Sequence, residues 1–433
     1  MERKTSRPRL VQAMMDIWAL PDLRRRILFT IGMLVLFRFV SHVPLPGVDP
    51  GKLQQYFAGV PLFGMLDLFT GGAMERFSVA AMGVYPYITA SIIMQLLVPV
   101  IPRLQALAQE GELGQQKINR ITHLITIPLA ALQGYAFVAL LRSQGVMVAG
   151  LGPLTIASII VTMVAGTMFF VWLGELITER GVGNGISIII FGGIVTDLPS
   201  IVGRGIVAAV GGNPAGLIAY VILTLAMVAL IVIFVEAHRR IPVQYARSTF
   251  RSGRLYRQSG ATYIPLRVNT AGMIPLIFAI ALMQLPWTIS TYFMNNENPN
   301  FWNTINKLFQ ADTAFYNVLY FLLVIGFTLF YTMVIFEQMN LPRTLQQQGG
   351  FIPGVRPGKA TADYLNAIIW RITFGGAIFL AIVAILPFIA QKITGVDLVI
   401  RSTAMLIAVG VALDTMKQLE AQLTMRRYEG FIK

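Results

Sequence analysis

The chain has 433 residues, of which 55% are hydrophobic and 12% are charged, and its mean hydropathy is +0.67. Soluble domains carry about 25% charged residues, so this composition excludes an ordinary soluble protein and indicates a polytopic membrane protein. The absence of cysteine excludes a disulfide framework and a cysteine metal site, and the formal net charge of +14 is first a signal of membrane topology.

Ten apolar stretches predict ten membrane-spanning helices, because about 20 apolar residues cross a bilayer. They cover residues 27–43, 77–97, 121–141, 154–173, 186–202, 217–235, 271–293, 315–336, 372–390 and 402–413. The last helix is expected to continue beyond Glu420 into the aqueous phase. Of the 34 Lys and Arg residues, 26 lie in the N-terminal arm, the alternate loops and the tail. This asymmetry predicts that both termini are cytoplasmic.

Residues 61–70, PLFGMLDLFT, form an apolar stretch that is too short to span a bilayer. An amphipathic helix on the membrane surface is one interpretation. A re-entrant segment that fills a cavity is the other.

The second predicted span contains Gly83 and Pro86, and the seventh repeats this spacing with Gly272 and Pro275. A proline inside a helix bends it and frees a carbonyl group, so we expect both spans to be bent helices that face an interior. Each is the second span of a five-span half. Matching broken helices in two halves predict a site at the interface between the repeats.

Two predicted cytoplasmic loops, 236–269 and 337–371, are longer than simple connectors. The first alternates arginines with aromatic residues around a hairpin turn predicted at Ser252 and Gly253. Positive-inside bias alone could explain the charge, whereas length and aromatic content favour docking of an acidic or phosphate-rich partner such as RNA. The segment 354–359 fails as a nucleotide-binding loop, because Ala360 follows its lysine.

The sequence offers no catalytic constellation, and we expect no enzyme activity, metal or cofactor. Matching broken helices in two halves also occur in ion-coupled secondary transporters, and an insertion scaffold without a pore is a further possible class. The transporter is disfavoured, because no span core holds the charged pair or acidic cluster that ion coupling needs.

Two long motifs resemble the signatures of the SecY protein-conducting channel family: MGVYPYITASIIMQL at 82–96 and VWLGELITERGVGNGISIII at 171–190. NTAGMIP at 269–275 and FIPGVRPG at 351–358 fit the same family. The resemblance implies an all-α membrane protein with ten spans in two pseudo-symmetric halves, 27–205 and 206–413, around a central pore. The N-terminal arm 1–26, the loops 236–270 and 337–371, and the tail 414–433 would be cytoplasmic.

The resemblance also implies functional residues. The pore ring would comprise Val84, Ile88, Ile186, Ile190, Ile277 and Ile407. A re-entrant plug at 61–72 would include Phe63, Leu66, Asp67, Leu68 and Phe69. A lateral gate towards lipid would carry Thr89, Gln133 and Asn269. Docking of the ATPase SecA or the ribosome would use Arg240, Arg247, Arg251, Arg254, Arg257 and Arg356.

On this interpretation the protein passes unfolded secretory polypeptides, with their signal sequences, across the bacterial plasma membrane and releases transmembrane segments into lipid. The implied partners are SecE, SecG, SecA and the ribosome.

Overall fold

The structure is a computed structural model. It describes residues 20–59, 67, 70–148, 150–210, 214–251, 254–270, 272, 274–293, 300–310, 313–339, 341–394 and 399–429. The helices of the N-terminal part are α1 (Pro21–Val40), α2 (Pro50–Gly59), α3 (Tyr85–Leu97), α4 (Pro102–Gln109), α5 (Glu112–Ser143), α6 (Pro153–Arg180), α7 (Gly185–Val210) and α8 (Pro214–Glu236). The rest of the chain forms β1 (His238–Arg251), β2 (Arg254–Arg267), α9 (Ile274–Phe293), α10 (Phe301–Leu308), α11 (Ala314–Met339), α12 (Leu341–Gln347), β3 (Gly350–Phe351), α13 (Lys359–Thr394) and α14 (Val399–Glu429).

Each of the ten predicted spans overlaps one helix, although α3 covers only the last 13 residues of the span predicted at 77–97. Within the described ranges, four helical stretches are long and apolar enough to cross a membrane, namely Glu112–Ser143, Pro153–Arg180, Ala314–Gln347 and Lys359–Leu386. A fifth span results if the pair α3 and α4 is counted as one broken span. Shorter apolar helical stretches occur at Gly185–Thr196, Val221–Glu236 and Ile274–Trp287. The helix of the last span extends past Glu420, as predicted.

The prediction that Pro86 and Pro275 bend their helices from within is wrong. Pro86 is the second residue of α3 and Pro275 is the second residue of α9. A proline in the first turn removes an N–H that has no intrahelical partner anyway, so it starts a helix without breaking one. Gly83 and Gly272 precede these starts with φ values of 53° and 65°, a conformation that glycine adopts at little cost. The repeated motif therefore marks two equivalent helix starts.

The chain forms two compact units. One comprises Met1–Ile93, Arg120–Leu217 and Val396–Lys433. In it α6 packs against α7, α1 packs against both, and α14 packs against α7. The aromatic rings of Phe37 and Phe170 lie 4.7 Å apart between α1 and α6. Gly166 on α6 touches the carbonyl of Val79 so closely that a Cβ would not fit.

The other unit comprises Met94–Asn119 and Ile218–Gly395. Here α11 packs against α13 and α9, and α9 packs against α10. The strands β1 and β2 form an antiparallel hairpin whose register runs from His238 opposite Arg267 to Arg251 opposite Arg254. The predicted turn residues Ser252 and Gly253 lie outside the described residues, but the register leaves two residues for the turn, as predicted. Strand β3 adds to the other edge of β1, giving the order β2-β1-β3.

Candidate functional site

Val84 and Ile88 lie one turn apart at the start of α3, where the N–H of Ile88 donates to the carbonyl of Val84 over 3.0 Å. Both side chains are buried, with 0% and 6% exposure. Ile277 occupies the same place after Pro275 as Ile88 does after Pro86, and it is 8% exposed. The two equivalent helix starts thus each present a buried isoleucine two residues after the proline.

Ile186 and Ile190 lie one turn apart in the first turns of α7. Ile190 is buried, whereas Ile186 is half-buried and lies against Gly174 of α6. Ile407 on α14 is 3% exposed. Among the six predicted ring residues, Ile186 therefore differs from the others in keeping partial exposure.

The predicted plug ends in a compact turn organised by Asp67. Its buried carboxylate accepts hydrogen bonds from the hydroxyl of Thr70 at 2.9 Å and from the backbone N–H groups of Met74 at 3.0 Å and Glu75 at 3.1 Å. The guanidinium of Arg38, within α1, donates to the carbonyl of Gly71. Asp67 and Arg38 thus fix the chain where the plug segment ends.

The other predicted plug residues, Phe63, Leu66, Leu68 and Phe69, lie outside the described residues. The helix α2, which comes before this segment, contains Tyr56, whose burial raises the pKa of its phenol to about 12. That phenol is uncharged at neutral pH.

The three predicted gate residues are polar groups in apolar helices or at their ends. The buried hydroxyl of Thr89 donates to the carbonyl of Tyr85 in its own helix at 3.1 Å, and the amide of Asn269 donates to the carbonyl of Gly272 at 2.9 Å. The side-chain oxygens of Gln133 and Asn269 are buried and have no hydrogen-bond partner among the described residues. Each offers an unused acceptor.

Gln284 on α9 was missed by the sequence analysis. It is 1% exposed, and neither its amide nitrogen nor its oxygen has a partner in the described part of the chain. The signal that identified Gln133, a glutamine within an apolar run, also applies to Gln284. An unpaired buried amide is costly, so such groups are often functional.

The two long loops form one folded module, which the sequence did not reveal. Strand β3 of the second loop pairs with β1 of the first, with Gln244 opposite Phe351 and Tyr245 opposite Gly350. Beneath this pairing lies a hydrophobic core built from the hairpin base, α12, the segment after β3 and the start of α13. Its buried members are Ile241, Val243, Leu266, Leu345, Ile352, Leu365 and Ile368.

The predicted docking arginines belong to this module. Arg240 and Arg356 are exposed, and the backbone carbonyl of Arg356 accepts a hydrogen bond from the hydroxyl of Thr361 at 2.8 Å. Arg247, Arg251, Arg254 and Arg257 occupy the outer half of the hairpin, where Arg251 and Arg254 are paired in register. Seven residues of β1, from Tyr245 to Arg251, extend beyond the middle of the β3 pairing, a reach of about 20 Å.

A family model described as SecY matches residues 78–416 of the chain, which include the six ring positions, the gate positions and Arg356. The chain belongs to the SecY family. It is 43% identical over 435 residues to the protein translocase subunit SecY of Thermotoga maritima, with 98% of each chain covered. It is 41% identical over 440 residues to the subunit of the same name from Thermus thermophilus, again with 98% of each chain covered.

Solved structures of SecY-family channels share the fold. A protein-conducting channel superposes with a TM-score of 0.66 at 17% identity, and Sec61 from the canine ribosome-channel complex of the endoplasmic reticulum superposes with a TM-score of 0.65 at 17% identity. In both cases 92% of each chain is covered. The predicted fold class, an α-helical SecY-type membrane protein, is confirmed.

Proposed function

We propose that this SecY-family chain is the central subunit of a protein translocation channel, which passes unfolded polypeptides across the membrane and releases transmembrane segments into lipid. The observation that carries the proposal is the pair of equivalent helix starts, each with a buried isoleucine after its proline, in a chain related to translocase subunits along 98% of its length.

In this proposal Val84, Ile88, Ile186, Ile190, Ile277 and Ile407 close the pore between the predicted halves 27–205 and 206–413. An aliphatic ring excludes ions by dewetting. It also forms no hydrogen bond with any one substrate, so many sequences can slide past it. No side chain in it performs covalent chemistry, which fits a subunit that is not an enzyme.

The gate residues Thr89, Gln133 and Asn269 would tune the choice between pore and lipid. A leucine-like residue gains about 0.3–0.6 kcal/mol in the membrane core, while a charge at the centre costs about 2.5–3.5 kcal/mol. Some 20 apolar residues would therefore leave sideways. The unused acceptors of Gln133 and Asn269 would bind N–H groups of a passing chain that has not yet folded into a helix.

The cytoplasmic module would dock the partners that drive transport. Strand positions 247, 251, 254 and 257 place four arginines in the outer half of the hairpin, and this concentration of positive charge favours an anionic partner. A ribosome offers phosphates, and the motor SecA would engage Arg356. As a member of the SecY family, this chain would work together with SecE and SecG in the bacterial inner membrane. The charge bias of its loops favours a topology with both termini in the cytoplasm.

Reconstitution distinguishes this function from its alternatives. Vesicles with the translocase, SecA, ATP and a presecretory protein should accumulate protease-protected substrate. Deleting 61–72 should raise single-channel conductance, because the seal above the ring is lost. A secondary transporter would instead show ion-dependent solute uptake, and a scaffold without a pore would show no conductance with or without the deletion.

A further inference from the structure

A groove with a volume of about 530 Å³ lies between α11 and α13. This volume falls within the roughly 300–1,000 Å³ that is typical of small-molecule sites. The groove is lined by Leu329, Thr332, Met333, Phe336, Glu337, Pro342, Asn366, Ile369, Trp370 and Thr373. None of these residues belongs to the proposed pore, gate or docking set.

The lining residues repeat at helical spacing, so one face of each helix forms the groove. Consecutive spans run in opposite directions, which sets Leu329 near the level of Thr373 and Glu337 near the level of Asn366. The end of the groove within the membrane is therefore lined by apolar side chains such as Leu329 and Met333, together with the buried threonines Thr332 and Thr373. A carboxylate and an amide stand at its aqueous end, next to the cytoplasmic module. This gradient matches an amphiphile whose chain points inward.

Thr332 supplies a second, independent observation. It is 2% exposed, it lines the groove, and its hydroxyl has no hydrogen-bond partner among the described residues. Thr328, one turn earlier, bonds to the carbonyl of Val324 at 2.6 Å, so the same helix can satisfy a threonine internally. The hydroxyl of Thr332 is left for an occupant of the groove.

The carboxylate of Glu337, at the aqueous end of the groove, determines which lipid headgroup can bind there. Glu337 is exposed there, although most charges of the flanking segment are cationic, including Arg343 and Arg371. A carboxylate repels an anionic headgroup and attracts an ammonium group. Trp370 is 47% exposed beside it, as suits a tryptophan at the level of lipid headgroups.

We propose that this groove is a binding site for a membrane phospholipid with a primary ammonium headgroup, such as phosphatidylethanolamine. An acyl chain lies against Leu329, Met333 and Ile369, an ester oxygen accepts from the hydroxyl of Thr332, and the ammonium group donates to Glu337. The site requires only that the chain spans a membrane and does not depend on the proposed channel activity.

The test is native mass spectrometry of the translocase, purified in mild detergent and exposed to an equimolar mixture of phosphatidylethanolamine, phosphatidylcholine and phosphatidylglycerol. The wild type should retain phosphatidylethanolamine above the other two. Glu337→Gln should lower its ratio to phosphatidylglycerol about threefold, the effect of one partly exposed charge pair. The matched control Asp363→Asn removes an exposed carboxylate of α13 outside the groove and should leave the ratio unchanged.

Thr332→Val keeps the side-chain volume and removes the hydroxyl, so it should reduce retention of all three lipids while leaving their ratio unchanged. Equal retention of the three lipids by the wild type would mean an unselective lipid layer and would overturn the proposal. Unchanged ratios in Glu337→Gln, or an equal loss in Asp363→Asn, would remove Glu337 from the site. If Glu337→Gln unfolds, its charge-state distribution in the mass spectrum will show it. The lipid retention of Thr332→Val then tests the site instead.

Discussion

Ile277 is a buried apolar side chain whose neighbour Leu276 is equally apolar and even less exposed, at 2%. Replacing either residue by asparagine puts an amide into an apolar site and costs stability of similar size, about 1–3 kcal/mol. Only the ring position should affect the seal, because a polar group there lets water wet the constriction.

We therefore expect Ile277→Asn to raise ion leak through reconstituted vesicles several-fold and to allow export of proteins with defective signal sequences. Ile407→Asn should behave in the same way. Leu276→Asn is the control for destabilisation. Equal leak from Leu276→Asn and Ile277→Asn would show that unfolding, not loss of the ring, produces the effect.

Asp67 holds the end of the proposed plug segment through three hydrogen bonds to one carboxylate oxygen. Asp67→Ala leaves the backbone N–H of Glu75 without this acceptor and that of Met74 with only the Thr70 hydroxyl, so the turn should loosen and the resting conductance should rise. Asp67→Asn keeps an oxygen at the same place and should stay near wild type. Bilayer recordings of both variants provide the measurement, and a leak from Asp67→Asn as large as from Asp67→Ala would exclude this role for the hydrogen bonds.

At the scale of the elements, the hairpin divides into an anchored base and a projecting outer half. Charge reversal of Arg254 and Arg257 should weaken ribosome binding and flatten its salt dependence, because each arginine that neutralises a phosphate releases about one counterion. The double variant Arg239→Glu with Arg267→Glu serves as the control, because it changes the net charge by the same amount at the anchored base of the hairpin. Binding titrations across a range of salt concentrations measure both, and equal slopes for all three proteins would leave the hairpin charge as a topology signal only.

The elements also show what the sequence could predict. Hydropathy placed the ten helices, because burial in lipid demands long apolar runs that few other structures need. The hairpin was predictable from Ser252 and Gly253 between two polar-aromatic runs. Strand β3 was not, since two residues carry no periodicity and the pairing with β1 joins segments about 100 residues apart.

The proline error has a similar origin. Pro86 and Pro275 stand in apolar runs, and hydropathy alone cannot tell a proline at a helix start from one inside a helix. Pro128, Pro199 and Pro286 do lie inside helices, yet they lack the preceding glycine with positive φ. Within the candidate site, the positions of the ring residues came from family resemblance. The burial of these side chains could be seen only in the tertiary structure.

For the molecule as a whole, the proposed function requires a motor to act on the channel from the cytoplasmic side. Arg356 is exposed on the turn after β3, and its backbone is held by Thr361. Arg356→Glu should abolish SecA-driven transport while the amount of protein in the membrane stays normal, because the loss is one of contact and not of folding. Arg343→Glu, an exposed cation of the same module, is the control.

ATP-dependent protection of a presecretory protein in vesicles is the measurement for Arg356. Transport at the wild-type rate would remove Arg356 from SecA docking. Equal loss in Arg343→Glu would indicate that net positive charge, and not this position, attracts the motor.

The shared core under the hairpin has a mechanical consequence. Leu365 and Ile368 belong both to that core and to α13, which continues without a break for 36 residues, a rod of roughly 54 Å. If a partner docks on the hairpin as proposed, a force that it applies there is transmitted to this helix through the close-packed side chains of the shared core. In the proposed channel, the module built from the two long loops would therefore move together with α13 and not independently of it.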